Sequence, residues 1–187
     1  MTIRCTAFGD DRRIASGAPH EVVFAVKAAA DAGEQVLVFD HADGRTVEFD
    51  LRGDLDAVLA RLAPAPAEEK RGPGRPKLGV TAREVTLLPR HWAWLSGQPG
   101  GASVALRKLV EAALREAEGP DRARRAKEAT YRVMTTLAGD RPGYEEATRM
   151  LFAGDWTAFD AAVDGWPDGV KDLVREMALG AWRNGAA

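Results

Sequence analysis

One stretch of this chain can be neither helix interior nor strand interior, and it divides everything else. Ala63-Pro64-Ala65-Pro66-Ala67 alternates proline with alanine, and Arg71-Gly72-Pro73-Gly74-Arg75-Pro76-Lys77 follows almost at once. Proline lacks an amide donor and fixes φ, so closely spaced prolines hold a chain extended. Residues 63–82 are therefore expected to form an exposed, mobile, basic linker. Whatever folds must do so in residues 1–62 and 83–187.

Residues 1–62 read as a small α/β unit. Ile3, Cys5 and Ala7 alternate, Gly9-Asp10-Asp11 turns, and Arg12 to Ser16 return as a partner strand. Pro19 opens a helix with Val22, Val23, Val26, Ala29 and Ala30 on one face, and Gly33 ends it. Gln35 to Phe39 is a buried strand, and Asp43-Gly44 signals a hairpin. Val47, Phe49 and Leu51 then alternate with polar residues as a further strand, and Asp54 caps a last helix carrying Leu55, Val58, Leu59 and Leu62. The predicted order is ββαββα. Beyond residue 117 the chain reads as helical, with Pro120, Pro142 and Pro167 each at a helix start and Asp155 as a further cap. The fold class is α+β: domain 1–62, linker 63–82, a central segment 83–117, and a helical region 118–187.

The net charge of −2 is unevenly placed. Residues 1–69 hold seven basic and 13 acidic side chains, whereas residues 70–91 hold six basic and one acidic. Such a local excess concentrates near a polyanion even on a mildly acidic protein. The single cysteine forms no internal disulfide, which fits a reducing compartment. No apolar run reaches the roughly 20 residues of a membrane span, and the first residues lack a signal-peptide core. A cytoplasmic protein is expected, without a membrane partner.

Catalytic chemistry is not apparent. His20, His41 and His91 lack metal-ligand spacing with one another or with Cys5, and each reads as a surface or helix-end residue. Asp40-His41-Ala42-Asp43-Gly44 reads as a hairpin turn, since it lacks the remaining ligands of a calcium loop. No nucleophile elbow, phosphate-cradling glycine loop or zinc-protease motif occurs. Trp92, Trp94, Trp156, Trp166 and Trp182 sit at apolar helix positions and are expected to pack in cores. Neither an enzyme nor a cofactor is expected.

The central segment is more specific. Arg83-Glu84-Val85-Thr86-Leu87-Leu88 is a short strand that stops at Pro89, with Val85 and Leu87 to one side and Glu84, Thr86 and Leu88 to the other. One strand of this length does not stand alone. Paired antiparallel with the same strand of a second copy, it makes a ribbon that fits the DNA major groove. A helical turn, Arg90 to Leu95, and the break Pro99-Gly100-Gly101 follow. Ser103 then caps a helix whose Ala105, Leu106, Leu109, Val110 and Ala113 form an apolar stripe. The start of that helix offers free amides to phosphate, with Arg107 and Lys108 one turn further in.

Thr86 to Pro89, Trp92 to Leu95 and Ser103 to Ala113 resemble the ribbon-helix-helix family of bacterial DNA-binding regulators. The resemblance implies an obligate dimer whose paired strands read bases while the second helix holds phosphate. The ribbon positions are then Glu84, Thr86 and Leu88, next to Arg83, and the phosphate positions Gly101, Ala102 and Ser103. Glu84 and Leu88 stand where that family usually carries basic or amide side chains. A second register, burying Leu88 and exposing Arg83, Val85 and Leu87, stays open. So does a plain helical hairpin beside a stray edge strand. Gly74-Arg75-Pro76, flanked by Arg71 and Lys77, resembles the core of an AT-hook, in which arginine enters the A·T minor groove, although Pro73 replaces the usual arginine.

Nearly the whole chain also resembles the bacterial domain-of-unknown-function family 2239. Cys5-Thr6-Ala7-Phe8, Val36 to Asp40, Leu87 to Leu95, Gln98 to Arg107 and Gly154-Asp155-Trp156 carry that likeness. It implies a bacterial source and supplies no activity. Taken together, the residues lead us to expect a dimeric DNA-binding protein, a transcriptional regulator or nucleoid-associated factor. Its DNA-binding residues would be Arg71, Arg75, Lys77, Arg83, Glu84, Thr86, Leu88, Gly101, Ala102, Ser103, Arg107 and Lys108. The competing expectation is an antitoxin-like or adaptor module that meets a protein partner through the C-terminal helices.

Overall fold

The structure is a computed structural model that describes residues 4–62 and 81–185, without the side chains of residues 183–185. Residues 63–80 of the expected linker, with Arg71, Arg75 and Lys77, lie outside the described residues. The protein is α+β, and it divides into two compact units, Met1–Ala63 with Gly119–Ala187, and Pro64–Glu118. The segments expected as an N-terminal domain and a C-terminal helical region thus share one unit.

In that larger unit, β1 (Cys5–Gly9) is the middle strand of a three-stranded antiparallel sheet, between β2 (Arg12–Gly17) and β3 (Val36–Asp40). Ala7 pairs with Ala15 and with Val38, and Ile14 is the extra residue of a bulge where Phe8 pairs with Arg13. All five residues of β1 are buried, because both faces of the sheet are covered. On one face Cys5, Ala7 and Val38 pack against Val22 and Val26 of α1 (Pro19–Asp31). Pro19 starts α1 and Glu21 closes it by accepting the Ala18 amide at 2.8 Å. On the other face Phe8 and Phe39 join the main core. That core draws Val133 and Met134 from the end of α4 (Gly101–Ala138), Leu151 from α5 (Tyr144–Ala153), Phe159 and Val163 from α6 (Trp156–Val163), and Leu173 and Val174 from α7 (Asp168–Gly185). Helix, sheet and helices make three layers.

Two of the caps expected from the sequence form. Asp54 accepts the Ala57 amide at 2.9 Å ahead of α2 (Leu55–Leu62), and Asp155 accepts the Ala158 amide at 3.0 Å ahead of α6. Asp40 and Asp43 turn their carboxylates onto the amides of Ala42 and Arg45, so this segment is the expected turn. Trp166 is buried, and Trp156 and Trp182 pack on the same core.

Three local expectations need correction. The fourth strand, Val47 to Leu51, does not form: Thr46 makes an isolated bridge to Phe39 and the Val47 amide reaches Val38, but Asp50 then bends the chain by binding the Arg52 side chain and amide. Arg61 donates to the Asp50 and Arg52 carbonyls and holds that bend. Pro120 does not start a helix; it lies inside α4, where its missing amide leaves the turn above without one hydrogen bond. Finally, His41 is half-buried rather than a surface residue. Its Nε2 is 2.8 Å from Thr6 Oγ1, which meets Ser16 Oγ at 2.8 Å.

Candidate nucleic-acid interface

The smaller unit is built from little. Leu88 is extended (φ −67°, ψ 151°), and Pro89 takes the first position of α3 (Pro89–Ser96), where its missing amide has no role to fill. The Leu88 carbonyl accepts the amides of His91 at 2.8 Å and Trp92 at 3.2 Å. Gly97 ends α3, and the chain turns through Gly100 and Gly101, both at positive φ, into α4. The Gly101 amide bonds to the Gln98 carbonyl at 2.9 Å. Because α4 starts at Gly101, Ser103 is an exposed residue of its first turn and not the cap expected from sequence.

Leu95 of α3 and Ala105 of α4 are the only buried residues described in this unit. Beside them lies a groove of about 380 Å³, lined by Leu87, Arg90, Trp94, Leu95, Leu106 and Leu109 with His91 at its edge. Val85, Leu88, Trp92, Trp94, Leu109, Val110 and Leu114 are all exposed in the single chain. The expectation that Trp92 and Trp94 would be core residues therefore fails: they are 40% and 54% exposed. The α4 stripe anticipated from its periodicity is present, but nothing described in this unit covers it beyond Leu95 and its neighbours.

Residues 81–88 form no strand within one chain, and among the described residues only the Leu88 carbonyl at their end takes a backbone hydrogen bond. The segment runs beside the groove. Leu87 turns into it, while Arg83, Glu84, Val85, Thr86 and Leu88 are all exposed. Arg107 and Lys108 are exposed on α4, and Gly101 and Ala102 are half-exposed at its start. The described members of the predicted site thus fall on one small unit, in three adjoining pieces: the extended segment, the Gly100-Gly101 turn and the first two turns of α4.

Elsewhere the surface carries other open grooves: polar ones at Gly139 to Arg149 and beside Gly9 to Arg12, and a more apolar one between the Gly44 turn and Tyr131 to Thr136 of α4. No cluster of histidine, cysteine, aspartate and glutamate among the described residues is placed to hold a metal ion. No described helix is long and apolar enough to cross a membrane.

The fold defines an α+β protein carrying a helical hairpin with an open apolar face. Over residues 4–178 the chain matches the family described as "Uncharacterized protein conserved in bacteria (DUF2239)", and it belongs to that family. No curated protein and no solved structure matches it.

Proposed function

We propose that this protein binds DNA as a homodimer and acts as a transcriptional regulator or nucleoid-associated factor. The observation that carries the reading is the open hairpin: two buried residues cannot hold a folded unit, so its groove and α4 stripe call for a second copy. The inward turn of Leu87 favours the register in which Glu84, Thr86 and Leu88 face a DNA groove. The ribbon-helix-helix arrangement supplies the geometry: two extended segments pair, and the start of each α4 meets phosphate. The basic arm, with Arg71, Arg75 and Lys77, follows the duplex alongside.

Fluorescence anisotropy of labelled duplex against salt tests it, with oligomeric state measured by light scattering. Log affinity falls with log salt, and Arg71→Ala with Arg75→Ala flattens the slope by about one unit per lost phosphate contact. Thr86→Ala shifts sequence preference more than overall affinity. A monomer that binds no duplex at low salt refutes the proposal. A dimer that binds none favours the second reading, an adaptor module that meets a protein partner through the C-terminal helices.

A further inference from the structure

Helix α4 belongs to both units. It begins at Gly101 in the smaller one, and the boundary between the two falls between Glu118 and Gly119. The next residue is Pro120, inside the helix. Proline has no amide to offer the carbonyl four residues back, here that of Glu116, and its ring crowds that carbonyl. Gly119 adds to the effect, because glycine and proline are the two weakest helix formers. This pair stands where α4 passes from one unit into the other.

The chemistry around that point is that of a helix end meeting a helix start. Before it, the Arg115 side chain donates back to the Glu111 carbonyl at 3.2 Å, as cations do in a last turn. Glycine then suits an end, and Pro120 followed by Asp121 suits a beginning. Asp121 meets Arg124 at 3.3 Å, and Arg124 meets Glu128 at 3.0 Å, so the new turn is tied forward. Packing does not offset the missing hydrogen bond. Ala105 and Ala123 are buried, but no residue of α4 between them is. A helical stretch without a buried face depends on its own hydrogen bonds, and sharp bends in helices fall at proline. The other covalent connection between the units runs through residues 63–82, whose proline and glycine content is that of a linker.

We propose that α4 is hinged at Gly119-Pro120 and that the two units reorient about this point as separate bodies. A hinge of this kind is a few residues at the end of an element, and here two half-helices share one end. It is independent of what the smaller unit binds. Backbone amide NMR relaxation of the full-length protein, with hydrogen exchange, tests it. The expected result is one tumbling time for the amides of the larger unit and a different one for those of α3. Amides at residues 121–124 exchange faster than those at 129–134. Pro120→Ala restores the missing donor, slows exchange at the first set by roughly 10- to 100-fold and brings the tumbling times together. Gly119→Ala, which keeps the proline, moves both readouts the same way by less. A single tumbling time across both units of the parent overturns the hinge. A folded Pro120→Ala variant that leaves the two tumbling times apart overturns it equally, because the motion then lies elsewhere.

Discussion

Gly44 gives the sharpest test of how the larger unit is held. The turn after β3 brings the chain back against α4, with Gly44 at φ +70°. A Cβ built there lies 2.8 Å from the Cα and carbonyl carbon of Ala129, and nearer still to its carbonyl oxygen. Those are backbone atoms of a helix whose Ala129 is buried, so they do not yield as a flexible side chain would. Gly44→Ala first incurs the cost of a left-handed alanine, about 1–2 kcal/mol. It must then lift the turn, which breaks the hydrogen bond from the Arg132 guanidinium to the Asp43 carbonyl at 2.6 Å. A hydrogen bond to a charged group contributes about 1.5–3 kcal/mol. The expected loss is therefore about 2.5–5 kcal/mol, a large part of the stability of an ordinary domain.

Gly33→Ala is the matched control. Gly33 has φ +82° and no atom within 4 Å of the new carbon, so it incurs the backbone cost alone. Urea unfolding is followed by fluorescence in a Trp92→Phe, Trp94→Phe background, leaving Trp156, Trp166 and Trp182 as reporters of the larger unit. If both alanine variants lose the same stability within about 1 kcal/mol, the turn is not seated on α4 and the reasoning fails.

Two further predictions concern titratable groups beneath the sheet. Burial, and then the charge of Asp40, push the Cys5 thiol up to about 11. At pH 8 roughly one molecule in a thousand carries the thiolate, against about a quarter for an ordinary cysteine. The native protein should leave a disulfide reagent unconsumed and react with one equivalent after denaturation; prompt native reaction refutes the burial. His41 is held below the ordinary histidine value first by burial, with Arg4 and Arg13 adding to the effect and Glu176 and Asp40 opposing it. The unfolded chain then binds the proton more readily, so the contribution of neutral His41 is complete above about pH 6.5 and is lost as pH falls toward the folded value. Stability measured across that window should rise with pH, and His41→Gln should flatten the rise; an unaltered slope shows that His41 is not its source.

Local chemistry was the legible part of this fold. Pro19 and Pro89 mark helix starts, and Asp54 and Asp155 mark caps, because each signal is complete within one turn of chain. Pro120 misleads for the same reason. A proline inside a helix loses one hydrogen bond, and this 38-residue helix runs through it. The strand expected at Val47 to Leu51 has the right alternation, but the Asp50 carboxylate instead binds Arg52 and Arg61 and the chain bends there. The pairing of Thr6 with His41 and the bond from Arg132 to Asp43 join residues far apart in sequence, and no periodicity announces them.

The candidate site was legible in composition and periodicity but not in exposure, and the difference has a physical content. An apolar stripe states only that something must cover it; the sequence does not say whether the cover lies in the same chain. In the larger unit the rule is met internally. The apolar face of α1 meets Cys5, Ala7 and Val38, and that of α7 meets the core around Phe159. In the smaller unit the same rule, read on Leu106, Leu109, Val110 and Ala113, finds only Leu95 and the walls of a groove. Trp92 and Trp94 were assigned to a core by the same inference. Their exposure marks where that inference fails within one chain: Trp94 lines the groove, and Trp92 lies on a different face of α3.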